Sequence, residues 1–372
     1  MGTRPRLACE VRSEGVVAAR AEDAAAVLSA VAKAPLAAGI EVPHVRIGSM
    51  GISTEHRSAL VAAIKSALER VSQRGRDVTL VVPDAAVRVL LLDFDVLPAK
   101  PAEALQIVRF RLKKLLPFDA DHAAVSYQVM TSRRDLTKVV AVAMPYELRE
   151  DYEAVVREAG FEPGALLPST LAAIAGLSES DRPALLVNAA RDSVTTAIVR
   201  SGVLLLHRTV DLGGFGKAST AETPTQARAT EIPDDTSIAA IAARLASAGT
   251  HVGAVVGSAI ADAGSINQSS APEAEFKEAA FARDRNDDIS EAVSVAVAYF
   301  EDTLETTPAV VMAAGTVGVE SLTPMLDEAQ VGPMAVQEVV DRQMLAPGAA
   351  SAGTVDGMPL GWLAGVRGAL AN

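Results

Sequence analysis

The chain has 372 residues, 49% hydrophobic and 22% charged, which supplies a core for two lobes or one large composite fold and excludes global disorder. With 34 Lys and Arg against 46 Asp and Glu, the net charge is -12, the wrong sign for a protein that coats nucleic acid. One cysteine, Cys9, rules out an internal disulfide and a thiolate metal cage.

The N-terminus lacks the apolar run of a signal peptide, and no stretch of about 18 apolar residues is available to cross a membrane. A cytosolic location is expected.

In chain order, Leu7–Val11 and Val16–Arg20 read as two strands joined at Ser13-Glu14-Gly15. Alanine-rich Glu22–Ala34 reads as a helix stopped by Pro35. Val45–Gly48 reads as a short strand. Ser53 or Thr54 then caps a helix with Leu60, Ile64, Leu68 and Val71 on one stripe. Val78–Val82 and Val87–Phe94 are strands separated by Pro83-Asp84. Pro101 opens a helix at a position that tolerates its missing N–H, with Leu105, Val108, Leu112 and Leu115 inward and Pro117 as its stop. Strands follow at Ala123–Val129 and Val139–Ala143, then a helix over Glu147–Ala159. A short helix is expected over Leu171–Leu177.

Ala184–Val187, Val194–Val199 and Val203–Val210 have the spacing of a three-stranded meander. Lys217–Ser237 and Asp262–Ser290 read as loops or weak helices, with a helix over Ile238–Ala248 between them. Glu291–Leu304 reads as a firmer helix, Ala309–Ala313 as a strand, and Ser321 as lying at the start of another helix. A Gly/Ala-rich linker, Ala346–Pro359, leads to a terminal helix over Leu360–Leu370.

Catalytic signatures are sparse. None of the five histidines has a partner at metal-ligand spacing, and no Gly-x-Ser-x-Gly elbow occurs. Gly213-Gly214-Phe215-Gly216-Lys217 fails as a phosphate loop, because Asp211 stands where the first glycine belongs and Ala218 follows the lysine. Asp93 and Asp95 share one face of a strand, a pattern that more often marks an exposed edge than an acid–base pair.

Several segments together resemble the PilM family of type IV pilus assembly proteins. This family belongs to the actin-like ATPase superfamily, with the division protein FtsA and the cytoplasmic domain of GspL as relatives. The segments are Val82-Pro83-Asp84-Ala85-Ala86-Val87-Arg88-Val89-Leu90, Lys114-Leu115-Leu116-Pro117-Phe118, Val140–Met144 with the following helix to Gly160-Phe161-Glu162-Pro163, and Gly361-Trp362-Leu363-Ala364-Gly365-Val366-Arg367-Gly368.

The resemblance implies an α/β, actin-like (ribonuclease H-like) two-lobe fold with an inserted FtsA/PilM-type subdomain in the first lobe. It implies a first-lobe core from residues 1–41, 150–182 and 349–372, an insertion over 42–149, and a second lobe over 183–348. It also implies a nucleotide cleft built from three loops, whose positions here are Glu10, Arg12 and Ser13; Asn188, Ala190 and Thr195; and Gly315. Backbone N–H groups and glycines at such turns make room for phosphates, and an acid places Mg²⁺. This sequence departs from that pattern. Arg12 stands for a glycine, Asn188 for an acid, Ala190 for a glycine, and Gly315 remains from a glycine pair.

A degenerate cleft is therefore expected, with no cofactor, or ATP and Mg²⁺ if the cleft still works. Arg12 allows both readings, since its bulk blocks a phosphate path while its charge suits a phosphate. The family's partner is PilN, a bitopic inner-membrane protein whose short cytoplasmic tail docks in a groove beside the inserted subdomain. The expected role is a cytoplasmic adaptor, peripheral to the inner membrane through its partners, with no nucleic-acid partner. Two alternatives stay open: a GspL-like type II secretion component, and an active ATP-binding ATPase or sugar kinase of the same superfold.

Overall fold

The computed structural model describes residues 5–23, 25–45, 53–177, 180–212, 271–306, 308, 310–332, 334–349 and 357–371. Residues 1–219 and 281–372 form one compact unit. Residues 220–280 form a second, of which only 271–280, the start of one helix, is described.

The described residues build three sheets. The first has five strands: β1 (Leu7–Arg12), β2 (Gly15–Ala21), β3 (Leu28–Pro35), β4 (Asp77–Val82) and β8 (Glu162–Pro168), in the order β3-β2-β1-β4-β8. β1 runs antiparallel to β2 and parallel to β4, and β4 runs parallel to β8. One face is covered by α1 (Thr54–Val71), whose Leu60, Ile64, Leu68 and Val71 are buried as their spacing predicts, and by α3 (Tyr146–Glu158). Ser53 caps α1 by accepting from the His56 N–H. The other face carries α4 (Ser169–Ala175) and α7 (Ala364–Leu370).

The second sheet is the expected meander β9 (Ala184–Ala189), β10 (Ser193–Arg200), β11 (Val203–Asp211), extended by parallel β12 (Val310–Gly315) and β13 (Ala335–Glu338). Its order is β11-β10-β9-β12-β13. α5 (Ala271–Leu304) and α6 (Val319–Glu328) cover it through Ile289, Val293, Phe300, Leu322 and Leu326.

The third sheet is small: β5 (Arg88–Phe94), β7 (Thr137–Pro145) and β6 (Ala123–Ser132), in the order β5-β7-β6. α2 (Pro101–Leu112) packs on one face through Val108 and Leu112 against Val139, Ala141 and Ala143, and its Ala104 is buried too. Because side chains alternate along a strand, Val140, Val142 and Met144 point the other way.

Several expectations are corrected. Residues 28–34, the larger part of the helix expected over Glu22–Ala34, lie in strand β3: pairing with β2 and burial beneath α1 override alanine's helical preference. Of the loop-or-weak-helix stretch Asp262–Ser290, residues 271–290 are helical and belong to α5, so the helical alternative holds there and the loop alternative does not. The helix from Pro101 ends at Leu112, five residues before Pro117, and Leu105 and Leu115 are only half-buried. β8 was obscured by Pro163, Gly164 and Pro168, which a strand tolerates here because β8 is the sheet edge.

Sheet membership also divides the span 42–149. α1 and β4 belong with the first sheet, and among the described residues of that span the separate three-stranded sheet is built from 88–145. The strand expected at Val45–Gly48, the helix at Ile238–Ala248, the glycine cluster 213–217 and the stretch 217–237 lie, wholly or almost wholly, outside the described residues.

Candidate functional site

Parallel strands deliver their C-terminal ends to the same edge of a sheet, where α/β proteins commonly place their sites. In the first sheet, β1 ends at Arg12, β4 leads into Asp84, and β8 leads into Ser169 and Thr170. In the second, β9 carries Asn188 near its end and β12 ends at Gly315. These two edges meet, and their side chains form a continuous buried polar network.

Arg12 is its centre. Its Nε donates to Glu10 Oε1 at 2.7 Å, and its Nη2 donates to Ser169 Oγ at 2.7 Å and to Asn188 Oδ1 at 2.8 Å. Ser169 Oγ donates in turn to Glu10 Oε1 at 2.6 Å. The Asn188 amide donates to Ser169 Oγ at 2.8 Å, Thr170 Oγ1 at 2.9 Å and Asp84 Oδ2 at 3.2 Å. Asp84 also accepts from the Thr170 N–H at 3.0 Å and from the Thr170 hydroxyl at 2.5 Å. His207, on β11, stands 4.0 Å from Asp84.

Burial sets the electrostatics. It pushes the Glu10 carboxyl up from its usual range, and the Arg12 charge and Ser169 hydrogen bond act against that rise. Burial pulls the Arg12 guanidinium down, but Glu10, Glu14 and Asp84 more than offset this, so Arg12 stays a cation. Burial lowers the His207 imidazole against the opposing pull of Asp84. Among the described residues the second oxygen of Glu10 has no hydrogen-bond partner; it abuts α7, where a Cβ on Gly365 would lie 2.6 Å from it.

The outer turns are stitched together as well. Glu14, at the β1–β2 turn, accepts from the Arg191 N–H at 2.6 Å and from the Thr316 hydroxyl. The Thr316 and Val317 N–H groups donate to the Ala189 carbonyl at 2.8 and 3.1 Å. Gly315 has φ +89, and a Cβ there would collide with that same carbonyl and lie 2.7 Å from Asn188 Oδ1. Its glycine is thus required by backbone approach between β9 and β12.

Of the seven residues singled out from the sequence, Glu10, Arg12 and Asn188 join the network, and Gly315 packs against it. Ser13 and Ala190 lie at the neighbouring turns, where Ser13 donates to Glu14 at 2.9 Å and the Ala190 N–H to the Ser193 carbonyl at 2.8 Å. Thr195 bonds Thr209 at 3.0 Å instead. Asp84, Ser169, Thr170 and His207 were not singled out. A signal existed for three of them: polar residues directly after two strand-ending prolines, Pro83 and Pro168. Asp93 is exposed and lies 3.6 Å from Lys138, which accounts for it as an edge residue. Among the described residues no cluster of His, Cys, Asp and Glu is arranged to hold a metal ion.

A second feature is an apolar groove of about 380 Å³ between the third sheet and the first. Val140, Val142 and Met144 of β7 form its floor, and Leu167, Leu171 and Ala175 form the opposite wall. Five consecutive β6 residues, Ala124–Gln128, also reach it. A strand normally shows alternate residues to one side, so contact with a consecutive run means that the groove meets the strand's edge. β6 is indeed an edge strand of its sheet. Beyond Leu171 and Ala175 a further space of about 610 Å³ continues past Met130, Met312 and Met344. Among the described residues, the lining of both compartments contains Arg149, Arg182 and Arg367 and no acidic residue.

Against solved structures, a chain described as the "PilM-PilN type IV pilus biogenesis complex" aligns with a TM-score of 0.68 and 16% identity, covering 98% of both chains. This is the actin-like fold. The chain resembles PilM in fold over nearly its whole length. The cytoplasmic domain of EpsL, an inner-membrane component of the Vibrio cholerae type II secretion system, aligns at a TM-score of 0.36, with 12% identity over 55% of this chain and 71% of that one. The ethanolamine utilization protein EutJ from Carboxydothermus hydrogenoformans aligns at 0.40, with 12% identity over 98% of this chain and 89% of that one. No family model and no curated protein sequence matches. Among the described residues no helix is long and apolar enough to cross a membrane.

Proposed function

We propose that this protein is an adaptor of a pilus-type assembly machine, docking the cytoplasmic tail of a PilN-like bitopic inner-membrane protein. The carrying observation is the apolar groove along the β6 edge, in a chain whose fold matches a chain of the PilM–PilN complex over 98% of its length. An edge strand offers unpaired N–H and C=O groups in register for an extended peptide, and the β7 and α4 side chains offer sockets for its apolar residues. The groove would place the protein on the cytoplasmic side of the membrane through its partner.

The interlobe cleft, in this reading, is a structural joint rather than a nucleotide site. The residue set suits a magnesium triphosphate poorly. Arg12 is committed to Glu10, Ser169 and Asn188; Asn188 has no charge to offer a metal; and Glu14 bridges the turns that would have to part. The kinase alternative has little support here, because Glu10 and Asp84 are both engaged in the buried network.

The test is titration calorimetry with a peptide from the N-terminal tail of the PilN-like protein encoded nearest to this one. Saturable binding that is lost in Ala175→Trp supports the reading. Ala175 is exposed and borders both groove compartments, so the bulky ring blocks the groove without entering the core.

A further inference from the structure

The helix α2 is apolar on two sides. Its inner side packs against the third sheet through Val108 and Leu112, and its Ala104 is buried too. Its outer side carries Ile107 at 39% exposure and Phe110 at 66%, with the cation Arg111. Phe110 and Arg111 lie three and four positions from Ile107 and so share its stripe, and exposed Lys114 follows in the turn two residues beyond the helix. A mostly exposed phenylalanine beside an exposed isoleucine is a desolvation site without an internal partner.

The charge of this stripe runs against the rest of the molecule. From Ala104 to Phe118 the chain has four cations, Arg109, Arg111, Lys113 and Lys114, and no acid, whereas the whole protein carries -12. Arg109 is held by the Ala120 and Ala123 carbonyls, and Lys113 pairs with Asp121 at 2.6 Å. Glu103, one turn before Ile107, is paired with Lys100 at 2.9 Å, and Asp119 with His122 at 2.8 Å. Glu103 and Asp121 are therefore offset by Lys100 and Lys113, while Arg111 on the stripe and Lys114 just beyond it are exposed.

We propose that the outer face of α2 is a contact surface for an anionic lipid bilayer. Exposed cations beside exposed apolar side chains match the two layers of an anionic bilayer, phosphate outside and acyl chain within. Arg111 and Lys114 would lie among lipid phosphates while the Phe110 ring and Ile107 enter the headgroup–acyl boundary. The third sheet stands between this face and the peptide groove, because α2 packs on the Val139, Ala141 and Ala143 side and the groove on the Val140, Val142 and Met144 side. The two surfaces are thus separable, and the lipid contact does not depend on the groove reading. If both operate, a weak lipid contact adds effective concentration to a partner already anchored in the same membrane.

The experiment is co-sedimentation of the full chain with vesicles of phosphatidylglycerol and phosphatidylcholine, and separately with pure phosphatidylcholine, at low and high salt. The expected result is partition onto the anionic vesicles only, lost in high salt as screening removes the attraction. Reversing both charges, Arg111→Glu with Lys114→Glu, is expected to lower partition at least tenfold, at about 1 kcal/mol per basic residue near an anionic surface. Phe110→Ser is expected to lower it severalfold at low salt. All three positions are exposed, so unchanged melting temperatures certify the fold. Equal binding to neutral vesicles, binding that survives the double reversal, or no sedimentation with anionic vesicles at low salt would each overturn the proposal. The last outcome would leave an acidic protein as the candidate for this face.

Discussion

Arg12 of the first sheet and Asn188 of the second share a hydrogen bond of 2.8 Å in the buried joint between the lobes. The same guanidinium neutralises Glu10, whose side chain is fully buried. Removing the cation alone leaves a buried carboxylate with the Ser169 hydrogen bond but no countercharge, whereas removing both charges leaves no unpaired ion. Arg12→Met is therefore expected to destabilise the protein by about 3–5 kcal/mol, and Glu10→Gln with Arg12→Met by clearly less. Urea denaturation of the two variants checks this. Equal losses would mean that the charge pairing contributes little.

His207 gives the joint a pH dependence. Its folded pKa is depressed below the ordinary 6.5, chiefly by burial. On lowering the pH, the unfolded chain takes up a proton near 6.5 while the folded chain resists until a lower pH. Stability from this group is therefore complete above 6.5 and is lost as the pH falls toward the depressed folded value. Melting temperatures of the wild type should decline over that interval more steeply than those of His207→Gln. Parallel curves would show that His207 does not titrate as placed.

Gly368 fixes the C-terminal helix. A Cβ there would run into the Ala172 carbonyl, and Gly176 meets Gly368 backbone to backbone. Gly368→Ala should force α7 away from α4 and cost about 1–3 kcal/mol, the range for overpacking. Because α7 also carries Gly365 against Glu10, amide exchange should rise around Glu10 as well as in α7. Exchange confined to α7 would mean that the helix and the joint are independent.

Nucleotide is expected to leave the melting temperature unchanged at micromolar to low millimolar MgATP, since a ligand stabilises only the state it binds. A concentration-dependent rise that disappears in an Arg12 or Asn188 variant would contradict the reading of the cleft as a joint.

Much of this architecture is legible in the sequence because it is local. The β1–β2 hairpin, the capped amphipathic α1 and the β9–β10–β11 meander are each specified by residues close together in the chain. β3 is hidden because alanine-rich sequence favours a helix until a neighbouring strand and α1 claim it. Arg12 is visible as a departure from the family pattern, but the sequence leaves open whether it blocks a phosphate or binds one. Its partners decide the matter of where it points, and they are distant: Ser169 lies 157 residues away and Asn188 176. Asp84 is similar, reading as turn punctuation until β4 and β8 align and bring Thr170 to it.

The adaptor role is tested most directly by titrating the PilN-like tail peptide into the wild type and into Ala175→Trp by calorimetry, with the melting temperature of each protein recorded. The account predicts saturable binding in the micromolar range for the wild type and none for the variant. No binding to folded wild-type protein at high micromolar peptide, or binding that Ala175→Trp leaves intact, would contradict it.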